Sequence, residues 1–434
     1  MKICVKKFLA SLFLLFFIAT FYLHGQYYPC LAKTKSAGLA EADAKNKNNS
    51  KNSTKNIADE ELWKRSKKIH EDAIIIDTHT DTPLAMLSKG FDIGQRSDRG
   101  NFDLIRMKEG GLDAAFFAVF TANEDDDRQP SKKAFETIDE ILHQVEKYPE
   151  LACMAYSPED IRSIHKAGKR AILIGMENGS PLEGSLRLLR DFYRIGVRYI
   201  GLTHWENNSL CDAATSEKPK WNGLSDFGRD VVREMNRIGM IIDVSHISEK
   251  AITDILEISR APVIASHSST RALCDIPRNL SDDAIKAIAK KGGVVQINFF
   301  SGFLDDAFNK KSKEVRETLK PEFDKLKEKY KDDQSGYWTE ATALWAKHAP
   351  PSPGIETLID HIEHVVKIAG VEHVGLGSDF DGAGSYPEGL NDVTGYPLIT
   401  LHLLKRGYSE ADVKKILGAN FLRVFEEVVK EAKK

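Results

Sequence analysis

Residues 73–81 read AIIIDTHTD: three isoleucines in a row, then a histidine and an aspartate two positions apart. An apolar run this short, rich in β-branched residues and without polar alternation, marks a strand buried on both faces, as in parallel sheets. Imidazole and carboxylate groups are costly inside such a sheet unless they have partners. His79 and Asp81 are therefore expected just past the strand's carboxyl end.

Seven further runs of this kind follow: AAFFAVF (114–120), AILIGM (171–176), RYIGL (198–202), MIIDV (240–244), PVIAS (262–266), VVQIN (294–298) and HVGLGS (373–378). Segments of helical period lie between them. In LSDFGRDVVREMNRIG, Ser225 is placed to cap, Phe227, Val231, Val232, Met235 and Ile238 fall on one face, and Gly239 ends the helix. Gly370 closes GIETLIDHIEHVVKIAG in the same way. Eight doubly buried strands alternating with helices predict an α/β fold, a (β/α)8 TIM barrel, with a doubly wound open sheet as the alternative. Two segments exceed an ordinary connection. One runs from about 121 to 170; the other is a helical insertion at 302–350 between the seventh and eighth strands, and its charge suits a solvated outer helix better than a lid.

The chain has 434 residues, 42% of them hydrophobic, which is material for one large core. A net charge of -3 gives no basic surplus for a phosphate backbone, which argues against nucleic acid as a partner. Lys2, Lys6 and Lys7 precede an apolar run at 8–23, the order of an export signal. Residues 1–25 are expected to be a signal peptide or a retained signal anchor, the latter a means of membrane attachment. Residues 26–57, rich in Lys, Asn and Ser, are expected to form a disordered linker, and 58–434 a single barrel domain. Cys153, Cys211 and Cys274 form no C-x-x-C pair and are expected to be small buried residues.

Polar residues gather where the strands end. His79 and Asp81 follow the first strand, Glu177 the third, His204 the fourth, His246 the fifth, His267 the sixth and Asp379 the eighth. A closed barrel brings all those ends to one mouth, where uncompensated imidazoles and carboxylates would cost several kcal/mol. A metal centre removes that cost. Histidine nitrogens with carboxylate oxygens suit zinc, and a carboxylate can bridge two ions. The expected cofactor is two Zn2+ ions per chain, one held by His79, Asp81 and Glu177 and the other by Glu177, His246 and His267, bridged by Glu177 and a hydroxide. That is the nucleophile of a hydrolase. His361 and His364, one turn apart in DHIEHVVK, fall on an outer helix and are not expected to form a second centre. No G-x-S-x-G elbow or phosphate-cradling glycine loop is present.

The motifs DTHTD, GMENG, LTHWENN, DVSH, ASHSS, PRNLSDD and GLGSDFDG, in that order from about Ile69 onward, resemble those of the membrane (renal-type) dipeptidases, zinc hydrolases of the amidohydrolase superfamily. The resemblance implies a barrel, a binuclear zinc centre and cleavage of dipeptides to free amino acids. It makes His79, Asp81, Glu177, His246 and His267 the ligands. It places His204 on the scissile carbonyl, Arg278 on the substrate's terminal carboxylate and Asp379 in proton transfer to the leaving amine. Asp381 ranks behind Asp379. Without the resemblance, Arg278 would read as a surface residue paired with Asp282 or Asp283. The chain departs from animal members in having no even cysteine set or lipid-anchor tail, and LTHWENN differs from their form after the histidine, which leaves side-chain preference open. The expected setting is a bacterial cell envelope, periplasmic or membrane-associated, or secretion. A homodimer is one assembly left open. Two other readings remain at this stage: a different binuclear amide, lactam or lactone hydrolase, and an envelope binding protein that has lost catalysis.

Overall fold

The computed structural model describes residues 49–432 except 88–90, 124–128, 332–339, 342 and 346, so the leader, Cys4 and Cys30 lie outside the described residues. Among the described residues nine strands form: β1 (Ile76–Thr80), β2 (Ala114–Phe120), β3 (Ala152–Met154), β4 (Arg170–Glu177), β5 (Val197–Gly201), β6 (Ile241–Asp243), β7 (Ile264–Ala265), β8 (Val294–Ile297) and β9 (Val374–Leu376). The sheet runs β1-β2-β4-β5-β6-β7-β8-β9. Its ends meet. Thr80 bridges Phe380, Asp81 N donates to Phe380 O at 2.7 Å, and Asp379 N donates to His79 O at 3.0 Å. The result is a nearly closed barrel of eight parallel strands, as the sequence pattern predicts.

β3 is the strand that the pattern does not reveal. Ala171 of β4 faces Ala114 of β2 on one edge and Cys153 of β3 on the other, so β3 takes the part of β4 that precedes its pairing with β5 at Ile174. Only three residues long and partly buried, it offers no periodicity to read. It sits in the 121–170 excursion with the helices Pro130–Glu146 and Pro158–Lys166.

β1 also lies further along than its isoleucines suggest, covering 76–80 rather than 73–77, so His79 is inside the strand. Polar residues are held there because each has a partner. Asp77 accepts from Ser378 N, Ser378 Oγ and Tyr396 Oη, and Thr78 Oγ1 donates to Ser266 O at 2.5 Å. The register with β2 shifts between Asp77 and Thr80, which breaks strict alternation where His79 meets the Tyr199 hydroxyl.

The pleat sorts the apolar side chains into two cores. Ile76, Ala114, Phe116, Leu173, Ile241 and Val294, near the strand starts, cluster with Phe421, Phe425 and Val428 of the helix Asn420–Ala432, which plugs the amino end of the barrel. Their neighbours Ala115, Phe117, Ile172, Ile242 and Val295 pack outward against the ring of helices. Serine caps start several of those helices. Ser225, Ser248 and Ser281 each accept from the backbone N–H three residues on, and Gly239, at φ 81°, ends the helix Asp226–Ile238 as its sequence predicts.

In the insertion, the helix Asp306–Lys329 buries only Phe308, Ser312 and Leu319 and is an outer helix. His361 and His364 carry no second centre. His361 Nε2 donates to Leu304 O at 3.0 Å, leaving Nδ1 to accept from Thr270 N, and His364 pairs with Asp282 at 2.7 Å. Cys211 and Cys274 are buried, Cys153 partly so, and all three are free. The helix Asn49–Asp72 begins inside the stretch expected to be a linker. That helix is anchored by buried Ser66, Ile69 and His70, and 49–72 contains no Pro or Gly to stop it propagating back. Among the described residues no helix is long and apolar enough to cross a membrane.

Candidate metal centre and substrate pocket

Glu177, the last residue of β4, stands at the middle of the barrel mouth. Its Oε2 lies 3.6 Å from His79 Nε2, which is itself 3.5 Å from Asp81 Oδ2. Its Oε1 lies 3.0 Å from His246 Nε2 and 3.4 Å from His267 Nε2, and those two nitrogens are 2.9 Å apart. The two carboxylate oxygens therefore face two different donor sets. Donors about 2.1 Å from one tetrahedral ion stand about 3.4 Å from each other, so these separations are those of atoms able to share an ion.

Burial sharpens the case for a cation. His79 Nε2, Asp81 Oδ1 and Glu177 Oε2 are buried without a hydrogen-bond partner. Each such atom costs about 1–3 kcal/mol unless something satisfies it. A divalent ion of zinc type does so, and the mixed imidazole and carboxylate donors fit it. Burial pushes the His79 pKa down, and it pushes those of His204, His246 and His267 well down, so the imidazoles are neutral, the form that ligates. Burial, with Asp81 and Asp379 alongside, pushes Glu177 well above the carboxylate range. Asp81 and Asp379 are pushed up to about 7, again mainly by burial.

Two of the histidines have their tautomer fixed from behind. The Tyr199 hydroxyl donates to Thr78 O at 3.0 Å, so at 2.9 Å it accepts from His79 Nδ1 and leaves Nε2 as a lone pair. Ser266 Oγ donates to Asp243 Oδ2 at 2.6 Å and accepts from His267 Nδ1 at 2.7 Å, with the same result. Gly175 makes the first arrangement possible, because a Cβ there would lie 2.0 Å from the Tyr199 ring.

Of the other expected residues, His204 and Asp379 line the same mouth. His204 Nε2 is 3.6 Å from Glu177 Oε1. Asp379 accepts from Asn298 Nδ2 at 2.9 Å and lies within ligand distance of His79 and Asp81. Arg278 is not a surface residue paired with Asp282 or Asp283. It is 3% exposed, its Nη1 donates to Ser268 Oγ and its Nη2 to His267 O, both at 2.7 Å, and its buried Nε has no partner. Asp381 is structural: it accepts from Thr82 Oγ1 and Asn101 N.

Asn178, His246, Asp379 and Asp381 all have φ between 61° and 76°, a left-handed conformation unusual outside glycine and gathered here around one mouth. Sequence reasoning misses several supports. Asn178 ties the residue after Glu177 to Thr121 O, Asn123 and Asn208, and Tyr199, Asp243, Ser266 and Asn298 hold the functional residues. The one available signal is position, since each stands at or within two residues of a strand's carboxyl end.

The sequence model of the membrane dipeptidase family (peptidase family M19) matches residues 63–434. This chain belongs to that family. Dipeptidase tcpJ of Claviceps purpurea is 37% identical over 76% of this chain and 69% of its own length. The probable dipeptidase PvdM of Pseudomonas aeruginosa, a solved structure, is 31% identical and superposes with a TM-score of 0.74, covering 86% of this chain and all of that one. Dipeptidase AC, a solved metallopeptidase of the same family, is 25% identical with a TM-score of 0.66 over 82% of this chain and 98% of its own. As a membrane dipeptidase family member the chain is a metallopeptidase-class hydrolase, and the clustered His, Asp and Glu residues are where it can hold metal.

Proposed function

We propose that this chain hydrolyses dipeptides to free amino acids with two zinc ions, His79, Asp81 and Glu177 holding one and Glu177, His246 and His267 the other. The observation that carries this reading is Glu177, whose oxygens face separate donor sets 3.0–3.6 Å away. Zinc bound there supplies Lewis acidity and a water acidic enough to lose a proton near neutral pH. The protein's own groups do the rest.

The partnerless Arg278 Nε, with the remaining guanidinium protons, receives the substrate's terminal carboxylate and so selects for a free C-terminus. His204, neutral and beside Glu177, donates to the carbonyl oxygen as negative charge develops on it, a contact that strengthens in the transition state. Asp379, with one oxygen tied to Asn298, uses the other to take up a proton and deliver it to the leaving amine. Export to a bacterial envelope through residues 1–25 belongs to the same proposal.

Hydrolysis of a dipeptide panel by metal-free and zinc-restored protein, with metal analysis, tests it. Activity in the restored sample alone, at about two zinc per chain, is expected. No dipeptide cleaved by zinc-loaded protein overturns it.

A further inference from the structure

The mouth has two unlike walls. One is formed by the polar groups just described; the other is apolar, Phe300, Phe303 and Ala383, joined to the first by Trp205, whose ring meets those of His204 and His246 at 5.5 Å. The Phe300 and Phe303 rings meet edge to face with centroids 4.9 Å apart, and Trp205 lies 6.2 Å from Phe303. Among the described residues that line the mouth, no charged side chain stands on this second wall. The Arg278 guanidinium sits over the Phe303 ring at 5.4 Å.

From these contacts we infer that the aromatic wall is the subsite for the side chain of the substrate's C-terminal residue, and that it selects apolar side chains. The inference rests on the reading of Arg278 as the carboxylate clamp. A carboxylate held by Arg278 belongs to the same α-carbon as the C-terminal side chain, whose Cβ is about 2.5 Å from the carboxylate carbon. Phe303, directly under the guanidinium, is therefore the surface that this side chain meets first. The N-terminal residue's side chain stems from an α-carbon about 3.8 Å further along, towards Glu177 and Asp379. Apolar side chains gain by leaving water against these rings, while Lys would be desolvated beside the Arg278 cation and Asp or Glu would compete with the substrate's own carboxylate for it.

The test is a ladder of Ala-Xaa dipeptides with zinc-loaded protein, Xaa being Gly, Leu, Phe, Lys and Asp, followed by the same ladder with Phe303→Ala. The wild type is expected to show kcat/KM for Ala-Leu and Ala-Phe at least about tenfold above Ala-Gly and above the charged members, as filling an apolar pocket gives. In Phe303→Ala the Ala-Phe to Ala-Gly ratio should fall severalfold. The wild-type ladder needs no variant, so the test survives if the substitution prevents folding. Equal rates along the ladder, a preference for Lys or Asp, or an apolar preference confined to Xaa-Ala substrates overturns the inference while leaving dipeptide hydrolysis standing. No cleavage of any dipeptide overturns the function itself.

Discussion

Replacing Arg278 by methionine keeps most of the apolar stem over Phe303 and removes the guanidinium. Two of the guanidinium N–H groups are committed to Ser268 Oγ and His267 O, which leaves the partnerless Nε–H and a neighbouring Nη–H to face the substrate. Two charge-assisted bonds at about 1.5–3 kcal/mol each give a gross loss of about 3–6 kcal/mol. Water entering an open mouth recovers part of it, so about 3 kcal/mol, or a factor of about 100–200 in kcat/KM, is expected. The assay compares a dipeptide with its C-terminal amide in both proteins. Wild type should favour the free acid by about that factor, and the variant should treat the two substrates alike. Zinc content measured in parallel separates this loss from any disturbance passed to His267 through its carbonyl. A wild type that cleaves the amide as fast as the acid, or a variant that keeps its preference, refutes the reasoning.

Tyr199→Phe removes the acceptor behind His79 Nδ1, and zinc affinity in a chelator competition should fall about 10–100-fold; unchanged affinity would show that the tautomer is fixed by something else. In Gly382→Ala the new Cβ would stand 2.0 Å from Asp81 Oδ2 and 2.6 Å from Asp379 Oδ1, so kcat should drop by more than about 100-fold; near wild-type turnover would mean that the loop moves freely. Glu234 is held at a pKa of about 2 by Arg237 and then Arg190, below its usual 4.5. Its folded pKa is depressed, so its stabilisation is full above pH 4.5 and is lost as pH falls from there towards 2. With Arg237 largely in water the contribution is about 1 kcal/mol, and the gap between wild type and Glu234→Gln in urea unfolding should hold from pH 7 to about 5 and shrink as the pH falls from there to about 2; a gap that persists at pH 2 counts against it.

The barrel was legible because its strands are buried on both faces and most lie in or beside a short apolar run, of which β2 is the clearest. That the proposed ligands gather at one mouth was legible because their strand-end positions converge whatever the details. Closer detail was not. That His79 lies inside β1 depends on Asp77 and Thr78 finding partners about 300 and 190 residues away, which no local pattern encodes. Tyr199 reads as one more core aromatic, and only its hydroxyl's distance to an imidazole gives it a role. Arg278 carries no local sign that it turns inward, and without a family resemblance its neighbours Asp282 and Asp283 mislead.

The seam between β1 and the segment after β9 is made by few backbone contacts, and two of them flank His79 and Asp379. Stretches of chain about 300 residues apart are thus stitched together beside the proposed site. A ribosome that has released residue 267 has delivered all five proposed ligands and yet no closed cage to keep them in register. On the proposed function, a polypeptide truncated before residue 379 should therefore leak any ion it captures.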